Sequence, residues 1–181
     1  MRLLLLFSLM ILTISCQNQQ SENQVKVYYD LAGFIKSQIQ ELTKTKVKIQ
    51  KRVLLNDKKE DVELDKINWE KELELFVQAD LNKQAYQLSY DKAENDSLVV
   101  YQLKNGEKLP VNRLEIVFDD KKNPRRIEAK LNTKNYLYES SKTLKMVLEN
   151  NRIQNYKIEG WQELFIGSKK TFNIEGNITS K

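Results

Sequence analysis

The sequence predicts an α+β domain: two helices packed on a largely antiparallel, curved β-meander of about eight or nine strands. Three observations carry this. Apolar residues recur at three- and four-residue spacing in only two short stretches, both in the first half of the chain. Elsewhere they recur at a period of two, the repeat of a half-buried strand. The alternating runs are joined by short segments rich in Asn and Asp, as sequential antiparallel neighbours require.

The chain opens MRLLLLFSLMILTISC. Arg2 supplies a positive start, and Leu3 to Ile14 form an apolar core of 12 residues. That length suits a signal peptide and is too short for an unassisted membrane span. Ser15-Cys16 follow, and the composition turns polar at Gln17-Asn18-Gln19-Gln20. This order resembles the lipobox of bacterial lipoprotein precursors, in which a small residue precedes an acylated Cys. Thr13 stands where that pattern more often has Leu, with Leu12 one step back. The resemblance implies that residues 1–15 are a signal peptide and that Cys16 carries a diacylglycerol thioether and an N-acyl chain. Two or more acyl chains hold a protein stably on a membrane. The implied address is the bacterial cell envelope, and Gln17, where inner-membrane lipoproteins often have Asp, favours the outer membrane. Residues 16–24 are then the lipidated Cys and a polar, flexible tether, and residues 25–181 a single globular domain.

Within that domain, Leu31, Phe34, Ile35, Gln38, Ile39 and Leu42 trace one face of a helix over 28–43, with Asp30 as its N-cap. Val47, Ile49, Val53 and Leu55 then alternate with Lys46, Lys48, Gln50 and Arg52, and Val62 and Leu64 resume after Asn56-Asp57. This is a hairpin whose basic face is solvated. Asn68 caps a second helix over 69–81, with Trp69, Leu73, Phe76 and Val77 on its apolar face.

From Ala85 the pattern is strands and turns alone. Tyr86, Leu88 and Tyr90 alternate, and Leu98-Val99-Val100-Tyr101 is a continuous apolar run that predicts a central strand. Asn105-Gly106 signals a hairpin. Leu114, Ile116 and Phe118 alternate, as do Ile127, Ala129 and Leu131. Tyr136 through Leu148 keep one parity, and Asn150-Asn151 forms the next turn. Tyr156 and Ile158, then Phe172 and Ile174, complete the meander.

Composition removes most chemistry. There are 30 Lys and Arg, 25 Asp and Glu, no His and one Cys. Without His there is no imidazole base, His-containing triad or His metal site. With its one Cys assigned to lipid, the chain has no disulfide or Cys zinc cluster. The charges are interspersed and lack the basic stripe of a nucleic-acid binder. Asp119-Asp120, followed by Lys121-Lys122, reads as a charged turn, and Glu63 and Asp65 are too close in sequence to face each other across a cleft. No cofactor or metal is expected.

The candidate binding surface is aromatic: Tyr136, Tyr138, Tyr156 and Trp161, which can stack sugars or line an apolar groove. The expected function is that of a membrane-anchored envelope lipoprotein acting as a non-catalytic binding or accessory module. Its partners are the membrane through the N-terminal lipid and an envelope protein, apolar ligand or glycan. A carrier or sensor of an apolar ligand held between sheet and helices is the first alternative. A carbohydrate-active enzyme using carboxylates is the second. The lipid anchor is tested by metabolic palmitate labelling: wild type takes up label and Cys16→Ser does not.

Overall fold

The computed structural model describes residues 26–179. Helix α1 (Leu31–Thr45) is followed by strands β1 (Lys48–Leu55) and β2 (Lys58–Leu64), then by two short helices, α2 (Trp69–Glu72) and α3 (Glu74–Gln78). A 3₁₀ turn at Gln84–Tyr86 leads to β3 (Tyr90–Glu94), β4 (Leu98–Leu103), β5 (Val111–Phe118) and β6 (Pro124–Lys134). The chain closes with β7 (Tyr138–Glu149), β8 (Arg152–Leu164) and β9 (Lys170–Thr179). The domain is therefore mostly β, a correction to the expected α+β class. The helices are three short segments against a sheet of nine strands.

The strand order is β2-β1-β9-β8-β7-β6-β5-β4-β3, and every pairing is antiparallel. Strands β3 to β9 form the meander read from the period of two. The β1–β2 hairpin joins it at the far side, where Ile49 pairs with Ile178 and Val53 with Ile174. Turn chemistry follows local sequence. Asn150 and Asn151 have φ of 51° and 61°, the two positive values that a two-residue type I′ hairpin needs. Asn and Asp tolerate such angles better than other residues with a side chain.

Alternation assigns each strand two faces. One face carries Leu114, Ile116, Ile127, Leu144, Met146 and Tyr156, all buried against the helices. The other is polar, and a charged row crosses seven strands from Glu115 through Glu128, Lys145, Lys157 and Glu175 to Arg52 and Asp61. The Lys48 and Arg52 side chains lie on this face, paired with Glu63 at 2.6 Å and Asp61 at 2.8 Å. Exposed pairs of this kind add little stability. Their effect is to keep this face wet, while the register is set by the buried apolar face.

The helices lie as a layer on the apolar face. Asp30 caps α1 by accepting from the Gly33 N–H at 3.0 Å. Gln38 is buried in α1 and pins it to the β7–β8 turn: its Nε2 donates to the Asn151 carbonyl at 2.9 Å, and its Oε1 accepts from the Ile153 N–H at 3.2 Å. At the other end, Asp80 accepts from the Ala32 N–H at 3.2 Å, and Asn82 accepts from the Tyr28 N–H at 3.0 Å. That knot ties the end of the α2–α3 segment to the start of α1.

Three local expectations are corrected. The second helix breaks at Leu73, whose φ of −102° and ψ of 8° bend the chain while Leu73 and Phe76 both stay fully buried. Tyr86 and Leu88 are not in a strand: Tyr86 ends the 3₁₀ turn and Leu88 has φ of +65°. Tyr86 instead joins a tyrosine cluster, its ring 6.3 Å from that of Tyr90, while Tyr28 stands edge-on to Tyr90 and Tyr101 at 5.6 and 5.3 Å between centroids, and Leu88 is exposed. The apolar strand β4 is next to the edge rather than central. Phe76 packs edge-on against Tyr156 at 6.3 Å and is wholly buried. Phe76→Ala should therefore cost about 3–5 kcal/mol in a denaturant melt.

Candidate functional site

The four aromatic residues do not form one surface. Tyr156 is 1 % exposed and belongs to the core. It pairs in register with Gly176, which in turn pairs with Lys51. A Cβ on Gly176 would lie 2.4 Å from the Tyr156 ring, so the glycine leaves the space the ring fills. The Tyr156 hydroxyl donates to the Glu72 carboxylate, whose other contact is the Lys51 ammonium at 2.7 Å. These three groups join α2, β8 and β1. Each has a partner, and the arrangement is structural: a lone charge there would be costly.

Trp161 lies on the polar face, in register with Ser141 and Thr171, with the Lys169 ammonium 3.8 Å from its ring centroid. Tyr138 and Leu164 are directly paired near the end of the β7–β8 ladder. Tyr136 is in the β6–β7 turn and is 84 % exposed. Three of the four candidates thus gather toward one end of the sheet, and Tyr156 does not. Cys16 lies outside the described residues.

That end holds what sequence reading missed. Leu137, Leu164, Phe165 and Ile166 are exposed there beside Tyr136. The two turns are knit together, because the Phe165 N–H donates to the Leu137 carbonyl at 2.8 Å. The Asn135 Oδ1 accepts from the Leu137 and Tyr138 N–H groups at 2.8 and 3.0 Å and fixes the first turn. Leu55, at the β1–β2 tip, is exposed at the same end, and that tip is tied to β9 by the Thr171 N–H donating to Asn56 at 2.9 Å. A run of consecutive apolar residues displayed on tied turns is unusual on a protein surface and makes this end the candidate contact surface.

Other surfaces are less inviting to a partner. Both edge strands are guarded: β2 reads KKEDVEL and β3 is short and reads YDKAE. Charged edges disfavour strand addition. A cleft of about 610 Å³ opens between the C-terminal half of α1 and β8 and β9, lined by Leu42, Val47, Ile153 and Ile178 with Glu41 and Arg152 at its rim. The Asp119 carboxylate is engaged in its own turn, accepting from the Asn123 and Lys121 N–H groups at 2.8 and 2.9 Å. The Asn123 N–H, first among these bonds, holds its pKa below the usual aspartate value. No helix among the described residues is long and apolar enough to cross a membrane.

Burial pushes the Tyr156 hydroxyl well above its ordinary pKa, and the neighbouring Glu72 carboxylate pushes it further. Burial does the same for Tyr29 and Tyr90. Because the folded-state values are raised, this stabilisation is complete below the ordinary tyrosine pKa of about 10 and is lost as pH rises beyond it. The melting temperature should therefore fall above about pH 10, and Tyr156→Phe should fall less steeply than wild type over that range.

No family model matches this chain, and no curated protein or solved structure matches it at a significant level.

Proposed function

We propose that the protein is a membrane-anchored lipoprotein of the bacterial cell envelope, held by lipid on Cys16 and acting through binding rather than catalysis. The observation that carries the binding half is the pair of rigid turns at the β6–β7 and β8–β9 tips, which hold Tyr136, Leu137, Phe165 and Ile166 out in the open. Exposed aromatic and aliphatic side chains on a fixed frame supply contact area at small entropic cost. The order Leu12-Thr13-Ile14-Ser15-Cys16 supports the anchor, and Gln17 supports the outer membrane. The binding reading is further supported by the carboxylates. Asp119 is spent on its turn, and Glu115, Glu128 and Glu175 on ion pairs with basic neighbours.

The cleft of about 610 Å³ beside α1 favours a second reading, carriage of a small apolar ligand. Its volume falls in the range of small-molecule sites, although Glu41 and Arg152 close an ion pair of 2.6 Å across its rim. In the carrier reading that pair opens to admit the ligand.

The test is a panel of glycan, peptide and ester substrates offered to the purified protein, with no turnover expected. Turnover abolished by Asp119→Asn or Asp120→Asn would replace the binding module with an acid/base enzyme.

A further inference from the structure

We infer that the β6–β7 and β8–β9 tips are a membrane-docking surface, and that Tyr136, Leu137, Phe165 and Ile166 enter the interfacial layer of the lipid bilayer. The inference rests on the lipoprotein reading above and names the partner of the exposed end.

The first argument is the contrast among turns of one sheet. The β1–β2, β3–β4 and β7–β8 turns are built on Asn56-Asp57, Asn95-Asp96 and Asn150-Asn151. The two tips in question carry Tyr136-Leu137 and Phe165-Ile166 instead, and Tyr136, Phe165 and Ile166 are each more than four-fifths exposed. Their backbone is held by the Phe165-to-Leu137 hydrogen bond and the Asn135 cap. The bonds fix the backbone of the turns, and the apolar side chains project from it into solvent.

The second argument is shape. Strand β7 has 12 residues and β8 has 13, which at about 3.4 Å per residue makes them roughly 41–44 Å long. Two helices side by side cover only about 20 Å. The strands overhang the helix layer, and the tips project past it, with only a shallow depression of about 250 Å³ between Tyr136-Leu137 and Leu164-Phe165. A projection of apolar residues fits a deformable medium better than a folded partner, whose surface would need a matching pocket.

The third argument is the belt around the tips. Lys134, Lys169 and Lys170 flank the two turns, with Glu139 and Glu163 on the paired strands. Tyr138 and Trp161 lie within the same few residues, and Lys169 caps the Trp161 ring. Tyr, Trp and long-stemmed Lys are the residues that sit at headgroup level, with apolar bodies toward the acyl chains and polar ends in water.

The fourth argument is reach. The chain enters the described structure beside Tyr28, which packs on Tyr90. The Tyr90 hydroxyl donates to the Val111 carbonyl at 2.7 Å, and Val111 pairs with Leu131. From the level of Leu131 to Tyr136 is roughly 17 Å along the strand, and from β4 to β7 roughly 14 Å across the sheet. Ten residue steps separate Cys16 from Lys26, and an extended chain of that length spans about 33 Å. A lipid on Cys16 therefore keeps the tips within reach of the leaflet that holds it.

The experiment uses the chain from Gln17 onward, which keeps the whole folded domain and lacks the lipid. It is floated with vesicles of phosphatidylcholine alone and of phosphatidylethanolamine with phosphatidylglycerol. Wild type is expected to float with both and more strongly with the second. Phe165→Ser/Ile166→Ser, in exposed turns, should keep its melt and lose at least about tenfold in partitioning. Brominated lipid should quench Trp161 and spare the buried Trp69. Failure of wild type to float, or equal flotation of the double variant, overturns the inference. So does a vesicle-free dimer of wild type that the double variant dissociates, since the tips would then serve a second copy. Palmitate labelling of Cys16 separates the two claims: a labelled Cys16 with no flotation of the domain removes the docking surface and leaves the anchor, whereas flotation without label does the reverse.

Discussion

The pairing of β1 with β9 is the contact on which the rest of the architecture depends. Lys48 pairs with Thr179 and Leu55 with Phe172, across more than a hundred residues of chain. Once the first hairpin lies beside the last strand, β2 and β3 are the two opposite edges of one sheet. The chain must then cross the sheet from edge to edge between Leu64 and Tyr90. Nine strands have eight gaps of about 4.8 Å, so the crossing is roughly 38 Å. The segment that makes it is α2, α3 and the 3₁₀ turn, and α1 has already crossed most of the same face in the opposite sense. The helix layer is thus a consequence of strand order. Trp69, Leu73 and Phe76 face the sheet because that segment has nowhere else to bury them. The knot of Asp80 and Asn82 with Tyr28 and Ala32 fixes where the second crossing meets the start of the first.

The same geometry leaves the sheet longer than its cover. Two helices shield a band about 20 Å wide, and β6, β7 and β8 run well past it. Within the band, residues such as Leu144, Met146 and Ile158 are buried. Beyond it, Leu164 on the same face as Ile158 is half exposed. Exposure of the tips is therefore set by the mismatch between strand length and helix-layer width, and shorter hairpins would have sufficed for the core.

Much of this was legible from spacing alone. The helix around Leu31 to Leu42, the hairpin at Asn56-Asp57 and the seven strands after Ala85 follow from periodicity and turn residues. Asn150 and Asn151 even specify their turn type. What spacing does not encode is which strands become neighbours at long range, so the β1–β9 pairing left no local mark. Nor does parity say how far along a strand the helix layer extends. Tyr138 and Leu144 share a face of β7, yet Leu144 is wholly buried and Tyr138 is not. For that reason Tyr156 was grouped with Tyr136 and Trp161, although it sits under α2 with its hydroxyl on Glu72. Leu137 is hidden in the run of one parity from Tyr136 to Leu148, which reads as strand, and Phe165 and Ile166 carry no periodicity that marks them. Their signal was present as apolar residues in turn positions, the reverse of the chain's own habit elsewhere. Tyr86 misleads in another way: it shares the parity of Tyr90, which does begin a strand, but its own place is a 3₁₀ turn packed against the Tyr90 ring.

If the tips rest on a bilayer, the long strands stand on it and the rest of the molecule is oriented. Strand β8 runs from Arg152 to Leu164, and Arg152 and Ile153 line the cleft beside α1. The cleft and the tips then lie at opposite ends of the same strand, roughly 40 Å apart. The charged row from Glu115 to Asp61 runs across the strands and so lies parallel to the membrane, about midway up. Its charged side chains face water at that height, and both sheet edges are charged as well. The end farthest from the lipid is then the part of the surface that combines an apolar lining with open access to the surrounding compartment. A domain built this way meets the membrane through one end and leaves the other, with Gln38 locking α1 beside it, for whatever approaches from solution.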